Sequence, residues 1–283
     1  MARNDDRPDA AIARYIAAGM PRIEGWLHRF AAELIAAISQ IQHEGLVRGA
    51  VGEIGVHHGK LLILLLLTAA RDERAFAIDV FEKQELNVDG SGRGDRERFL
   101  QNVRVFSGRE QDILIIPKSS LTVTPGEIVE KLGPARLISI DGGHTAECTV
   151  NDLRLAEASL HNRGVVILDD YFNASWPDVA TGAAEYFLDR GSKLRPFAIG
   201  PNKLFLSDLP NHDYYRTALQ TRFRPLKRSR MFQTEVDLYE TDLPVLTPGE
   251  LLRLGIKEST LGPYAIAANA LVKRLLPSRW RSR

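Results

Sequence analysis

Asp141 and the pair Asp169-Asp170 each close an apolar run, Leu137-Ile138-Ser139-Ile140 and Val165-Val166-Ile167-Leu168. If those runs are neighbouring strands, three carboxylates converge, and unpaired they repel one another and push a pKa up. A hard divalent cation resolves that conflict. An all-oxygen set with room for waters fits Mg²⁺ better than Zn²⁺, which prefers His and Cys. The alternative is that Asp141 and Asp169 are helix caps or salt-bridge partners. A second constellation is Glu53-Ile54-Gly55-Val56-His57-His58-Gly59, an acid-x-Gly-x-x-x-Gly turn. It is not the dinucleotide fingerprint Gly-x-Gly-x-x-Gly, whose third glycine allows close approach to pyrophosphate. A turn that brings backbone beside a ligand while presenting a carboxylate suits a ligand carrying an ammonium; an ordinary strand-to-helix turn is the other reading. Asp79, after Ala75-Phe76-Ala77-Ile78, is placed to accept both hydroxyls of a ribose.

These residues need a scaffold that brings strand ends together. From Gly49 onward, short apolar runs alternate with helical stretches. Strands are expected at 50–55, 75–80, 112–116, 137–141 and 165–169, with helices at 60–70, 125–132, 146–160 and 177–188. Thr124-Pro125-Gly126-Glu127 supplies an N-cap, a proline at the first helical position and a capping-box glutamate, and Gly133-Pro134 stops that helix. Near-continuously apolar strands separated by helices mean a parallel sheet covered on both faces, a doubly wound α/β domain. Ligands of such sheets sit outside the carboxyl ends of the strands, where every residue singled out above falls. Runs 194–199 and 203–207, joined by Gly200-Pro201-Asn202, read as two strands and a tight turn. Residues 1 to about 22 read as polar and irregular, and 23 to 46 as an amphipathic helix. The chain divides into 1–47, a main domain at 48–210, and a C-terminal extension at 211–283, in which Thr247-Pro248-Gly249-Glu250 opens a short helix.

Glu53-Ile54-Gly55-Val56-His57-His58-Gly59, the run from Ile78-Asp79 to Gly92, Ile140-Asp141-Gly142-Gly143-His144-Thr145, and Leu168-Asp169-Asp170-Tyr171 with Trp176-Pro177 follow in order. Together they resemble the class I S-adenosylmethionine-dependent methyltransferases. Within that superfamily they are similar to the metal-dependent branch of macrocin-type and mycinamicin-type sugar O-methyltransferases. The resemblance spans about residues 48–207. It implies a Rossmann-like, seven-stranded sheet with an antiparallel final strand, and an N-terminal helical extension. It implies that Glu53, Gly55 and Gly59 hold the methionine end of the methyl donor, that Asp79 binds its ribose, and that the 115–120 stretch, Ser119 included, lies near the adenine. Asp141, Asp169 and Asp170 match the branch's metal positions. Macrocin-type enzymes carry Asp-Gly-Asp, whose second aspartate is thought to be the general base; here Gly143 stands there. His144 is the candidate replacement, because its unperturbed pKa lies near working pH. The expected acceptor is a hydroxyl of a small molecule or glycan. A metal-independent enzyme using His144 as base, and a noncatalytic donor-binding scaffold, are the competing readings.

Composition narrows the partners. The 37 Lys plus Arg against 36 Asp plus Glu leave a net charge of +1, without the cationic surplus of a dedicated nucleic-acid binder. One cysteine, Cys148, forms no internal disulfide, and the acidic N-terminus lacks a signal peptide's basic n-region, so a cytoplasmic location is expected. The apolar run 61–70 is about half the ~20 residues that cross a bilayer. The glycine-rich stretch 89–96 reads as a lid over substrate or a solvated loop, with Arg93 and Arg96 as candidate anion contacts; Tyr171 and Trp176 are candidate acceptor-pocket walls. The basic tail around Trp280 offers weak peripheral contact to an anionic membrane surface, or simply frays. The apolar face of residues 27–41 could pair with another subunit.

Overall fold

The structure, a computed structural model, describes residues 8–239. The helix expected at Thr247 and the basic tail lie outside the described residues. Five parallel strands form the heart of the sheet: β1 Ala50–Ile54, β2 Ala75–Ile78, β3 Ile113–Ile116, β4 Ala135–Ile140 and β5 Leu160–Asp169. Between them run α3 Lys60–Thr68, α4 Arg96–Phe106, α5 Pro125–Leu132 and α6 Ala146–Ser159. β6 Leu194–Gly200 follows α7 Pro177–Leu188 and turns back into β7 Lys203–Asp208, which inserts antiparallel between β5 and β6. The strand order is β3-β2-β1-β4-β5-β7-β6, extended by β9 Thr234–Leu238 and β8 Lys227–Met231. The order reverses between β1 and β4, which opens a ligand crevice at their carboxyl ends. β1 ends in Ile54, paired with Ile140 at the end of β4, so Gly55 and Asp141 leave the sheet side by side.

Every residue of β1, β2 and β4 is buried, as covering on both faces requires. Both core clusters are apolar side chains from the strands and the helices over one face. α3 is a core helix, with Leu61 through Leu66 buried under α1 Pro8–Arg14 and α2 Arg29–Glu44. Among the described residues no helix is long and apolar enough to cross a membrane.

Four features differ from the sequence expectations or add to them. The sheet has nine strands rather than seven: β8 Lys227–Met231 and β9 Thr234–Leu238 form a hairpin whose second strand pairs parallel with β6. Its turn places Phe232 and Gln233 at positive φ, +46° and +69°, without the Asn-Gly signal that usually marks such turns, and its first strand is Lys-Arg-Ser-Arg-Met. The N-terminal segment is not irregular. Helix α1 Pro8–Arg14 continues through a wide turn at Tyr15–Gly19 and a tight one at Met20–Arg22, because Ile16, Met20 and Ile23 make a buried stripe at helical spacing. Residues 96–106 are helix α4, capped by Asp95. Finally, α2 Arg29–Glu44 starts later than expected and buries Leu34, Ile35, Ile38 and Ile41 within its own chain, packing on α3 and α8 Leu209–Gln220. That stripe is therefore unavailable to a second subunit.

Candidate active site

The turn after β1 is held by its own backbone and by Asp79. Gly55 sits at φ +81° and Gly59, which caps α3, at φ +85°, a region that favours glycine. A Cβ on Gly55 would lie 1.8 Å from the carbonyl oxygen of Asp141. Asp79, at the end of β2, accepts backbone N–H bonds from Val56 and His57 on Oδ2 and from Phe81 on Oδ1, all at 2.7 Å. It thus ties the turn to β2. Glu53 points into the protein at 2% exposure, and its Oε2 has no hydrogen-bond partner. Burial, and then the charge of Asp141, push its carboxyl well above the usual range, against the pull of Lys203. A buried acid with an unused oxygen beside a backbone cradle fits a cationic ligand. Ser119 follows β3, two strands from β1, and its carbonyl accepts a bond from the Thr122 N–H at 3.0 Å.

The acid cluster is shared out unevenly. Asp141 follows β4, where burial and the neighbouring Asp169 raise its carboxyl well above its usual pKa. Asp169 ends β5 and turns toward Lys203 of β7, whose buried ammonium ion-pairs with Oδ2. Its Oδ1 accepts from the Asp170 N–H at 2.9 Å and from the Asn202 amide at 3.0 Å. Asp170, at φ +59°, swings the other way. Its Oδ1 accepts 2.7 Å bonds from Asn173 and Asn202, and its Oδ2 lies 3.0 Å from His144 Nε2. Burial would raise the Asp170 pKa, but these donors hold it at about 2.

His144 occupies the centre. Its Nδ1 lies 2.7 Å from Asp89 Oδ2 and 3.1 Å from Ser91 Oγ, and its backbone N–H also donates to Asp89 at 2.6 Å. The ring stacks on Trp176 with centroids 4.3 Å apart. Burial disfavours the charged ring, but the bonds to Asp170 and Asp89 outweigh it and lift the pKa to about 9. One donor atom each from Asp141, His144 and Asp170 lies within 4.8 Å of the others. Two carboxylates and an imidazole fit a divalent cation. Of the three expected metal positions, Asp141 and Asp170 converge on that point, whereas Asp169 faces Lys203.

Residues 53–171 match a family model described as a methyltransferase domain, and they run from the buried Glu53 to just past Asp170. Those residues form a methyltransferase domain. Its structure is similar to that of the O-methyltransferase NovP: 16% identity, 71% of this chain and 97% of that chain covered, TM-score 0.54. It is also similar to the O-methyltransferase TomG from Streptomyces achromogenes: 14% identity, 72% and 89% covered, TM-score 0.49. At these identities the likeness is one of fold. No match is found among the curated proteins.

In this methyltransferase the loop carrying Asp89, read beforehand only as a lid or solvated loop, holds the central histidine. Trp176 backs that histidine, and Tyr171 packs edge-on against Phe172. Two buried residues carried no signal of their own. Lys203 looks like one polar residue inside an apolar strand. Asp152 of α6 has an unpartnered Oδ2, and burial raises its pKa to about 6 despite hydrogen bonds from Ser120 and Asn151. The closest backbone approach gives a direct test. Gly55→Ala is expected to abolish binding of S-adenosylhomocysteine and to lower the melting temperature, because the methyl group meets a carbonyl fixed in the sheet. Calorimetry showing wild-type affinity would overturn this assignment of the turn.

Proposed function

We propose that the methyltransferase transfers the methyl group of S-adenosylmethionine to a hydroxyl of a sugar or glycosylated small molecule, with Mg²⁺ assistance. The observation that carries this reading is the contact between the donor turn and the acid cluster. The Asp141 N–H donates to the Ile54 carbonyl at 2.7 Å, so a donor on the turn and a hydroxyl beside Asp141 meet over one sheet edge. Methyl transfer needs that proximity more than it needs elaborate acid–base chemistry.

Glu53 faces the cationic methionine end of the donor, Gly55 and Gly59 let it approach the backbone, and Asp79 and Ser119 line its nucleoside side. Asp141 and Asp170, with His144 beside them, would hold the divalent cation, which supplies Lewis acidity that lowers the pKa of the acceptor hydroxyl. Asp89 fixes the His144 ring through Nδ1, and Nε2 can take the hydroxyl proton once its bond to Asp170 is given up to a bound cation, because that bond is part of what holds the ring charged. The oxygen forms its bond to the methyl carbon as the carbon–sulfur bond breaks, and neutral S-adenosylhomocysteine leaves. The sulfonium is discharged in that step, so no separate acid is required. The sugar class rests on the motifs resembling the macrocin-type branch and on Trp176, whose aromatic face lies beside the cluster. A cytoplasmic setting accords with the lone buried Cys148.

The reading is tested by incubating the chain with S-adenosylmethionine and a panel of nucleotide sugars and glycosides. Formation of S-adenosylhomocysteine together with an O-methylated product, lost with chelator and restored by Mg²⁺, is the expected result. Methylation confined to nitrogen acceptors, or turnover indifferent to chelator, would overturn the corresponding part.

A further inference from the structure

A second group of metal-type ligands lies on the far side of the donor turn. Donor atoms of Glu24, His57 and His58 fall within 4.8 Å of one another. His57 takes a left-handed backbone, φ +50°, which brings its ring onto that of His58 with centroids 3.8 Å apart. Both Nδ1 atoms are buried without a hydrogen-bond partner, and His58 itself is only 4% exposed. Two unsatisfied imidazole nitrogens side by side call for an explanation. His58 Nδ1 looks toward Glu24 Oε2 at 3.6 Å, beyond hydrogen-bond range. The two rings and the carboxylate thus present donor atoms to one point.

We infer that Glu24, His57 and His58 bind a transition-metal dication of the Zn²⁺ type, which fastens the segment entering α2 to the donor turn. Two imidazoles and a carboxylate, with an open position for water, are a common set for such ions, and Mg²⁺ is a poor match for them. Arg98 donates to Glu24 Oε2 at 3.0 Å and orients that carboxylate; Asp95 and Asp79 offset its charge toward the two rings.

The test uses the full chain carrying Asp170→Asn, so that the other cluster is disabled, freed of metal by chelator and titrated with Co²⁺. One equivalent is expected to bind, with the strong visible bands of a low-coordinate site. Adding Glu24→Gln, at an exposed position, should weaken binding by about 10-fold or more, and adding His58→Gln should remove it. Absence of Co²⁺ uptake by the Asp170→Asn chain would overturn the inference. So would unchanged affinity in the Glu24→Gln variant, whose folding is checked by circular dichroism.

Discussion

Arg136→Leu is expected to destabilise the folded chain by about 3–5 kcal/mol, the cost of leaving a buried charge without its partner. The guanidinium is fully buried on β4. It forks onto Glu73, with Nε to Oε1 and Nη2 to Oε2 both at 3.0 Å, and Nη1 reaches Ser39 at 3.0 Å and Gln42 at 2.8 Å. Glu73 further accepts N–H bonds from Gly49 and Ala70. Leucine removes the fork and leaves the buried carboxylate without its cation, held by the two N–H bonds. The double variant Glu73→Leu, Arg136→Leu is expected to recover much of the loss, since an apolar pair of similar volume replaces two charges at once. The same pair sets an acid limit. Burial works to raise the Glu73 pKa, but bonds from His43 and Arg136 hold it at about 2, below its unfolded value of 4.5. A depressed folded-state pKa stabilises fully above the unfolded pKa and loses that contribution as pH falls from about 4.5 toward 2. Denaturant melts between pH 6 and 2 check both points. A wild-type curve flat through that window, or an Arg136→Leu variant as stable as wild type, would sink the account.

How legible this was in the sequence differed from element to element. β1, β2, β4 and β5 announced themselves because strands buried on both faces are continuously apolar, and α5 because its capping box is a local signal. Helix α4 hid because only Phe99 and Val103 of its eleven residues are buried. Hairpin β8–β9 hid because an edge strand can be almost wholly polar. In the site, the acids were legible as the residues that end strands, but their partners were not. Lys203 reaches Asp169 only because β7 inserts beside β5, and Asp89 reaches His144 across 55 positions of chain. Neither pairing follows from spacing. The parting of Asp169 from Asp170 comes from a left-handed residue at 170 that no glycine announces.

The second large effect is on turnover. His144→Gln is expected to lower kcat by about 10²–10⁴-fold, the usual contribution of a positioned proton acceptor, while affinity for S-adenosylmethionine stays at the wild-type value. Glutamine keeps a hydrogen-bonding head of similar reach for Asp89 and Asp170, so the surrounding loop keeps its anchors. It cannot take a proton. The donor turn touches Asp141 rather than His144, which is why binding and turnover should separate. Single-turnover kinetics beside calorimetry check this. Parallel loss of donor affinity would recast His144 as a support of the turn, and turnover close to wild type would remove it from the reaction.

The β8–β9 hairpin changes what the outside of the sheet offers to other molecules. Without it, β6 would end the sheet as a largely buried apolar strand with open backbone groups, an invitation to stack copies edge to edge. With it, the outermost strand among the described residues carries Lys227, Arg228 and Arg230 instead of an apolar face. A sheet edge that is polar and basic disfavours the edge-to-edge pairing that an apolar strand invites.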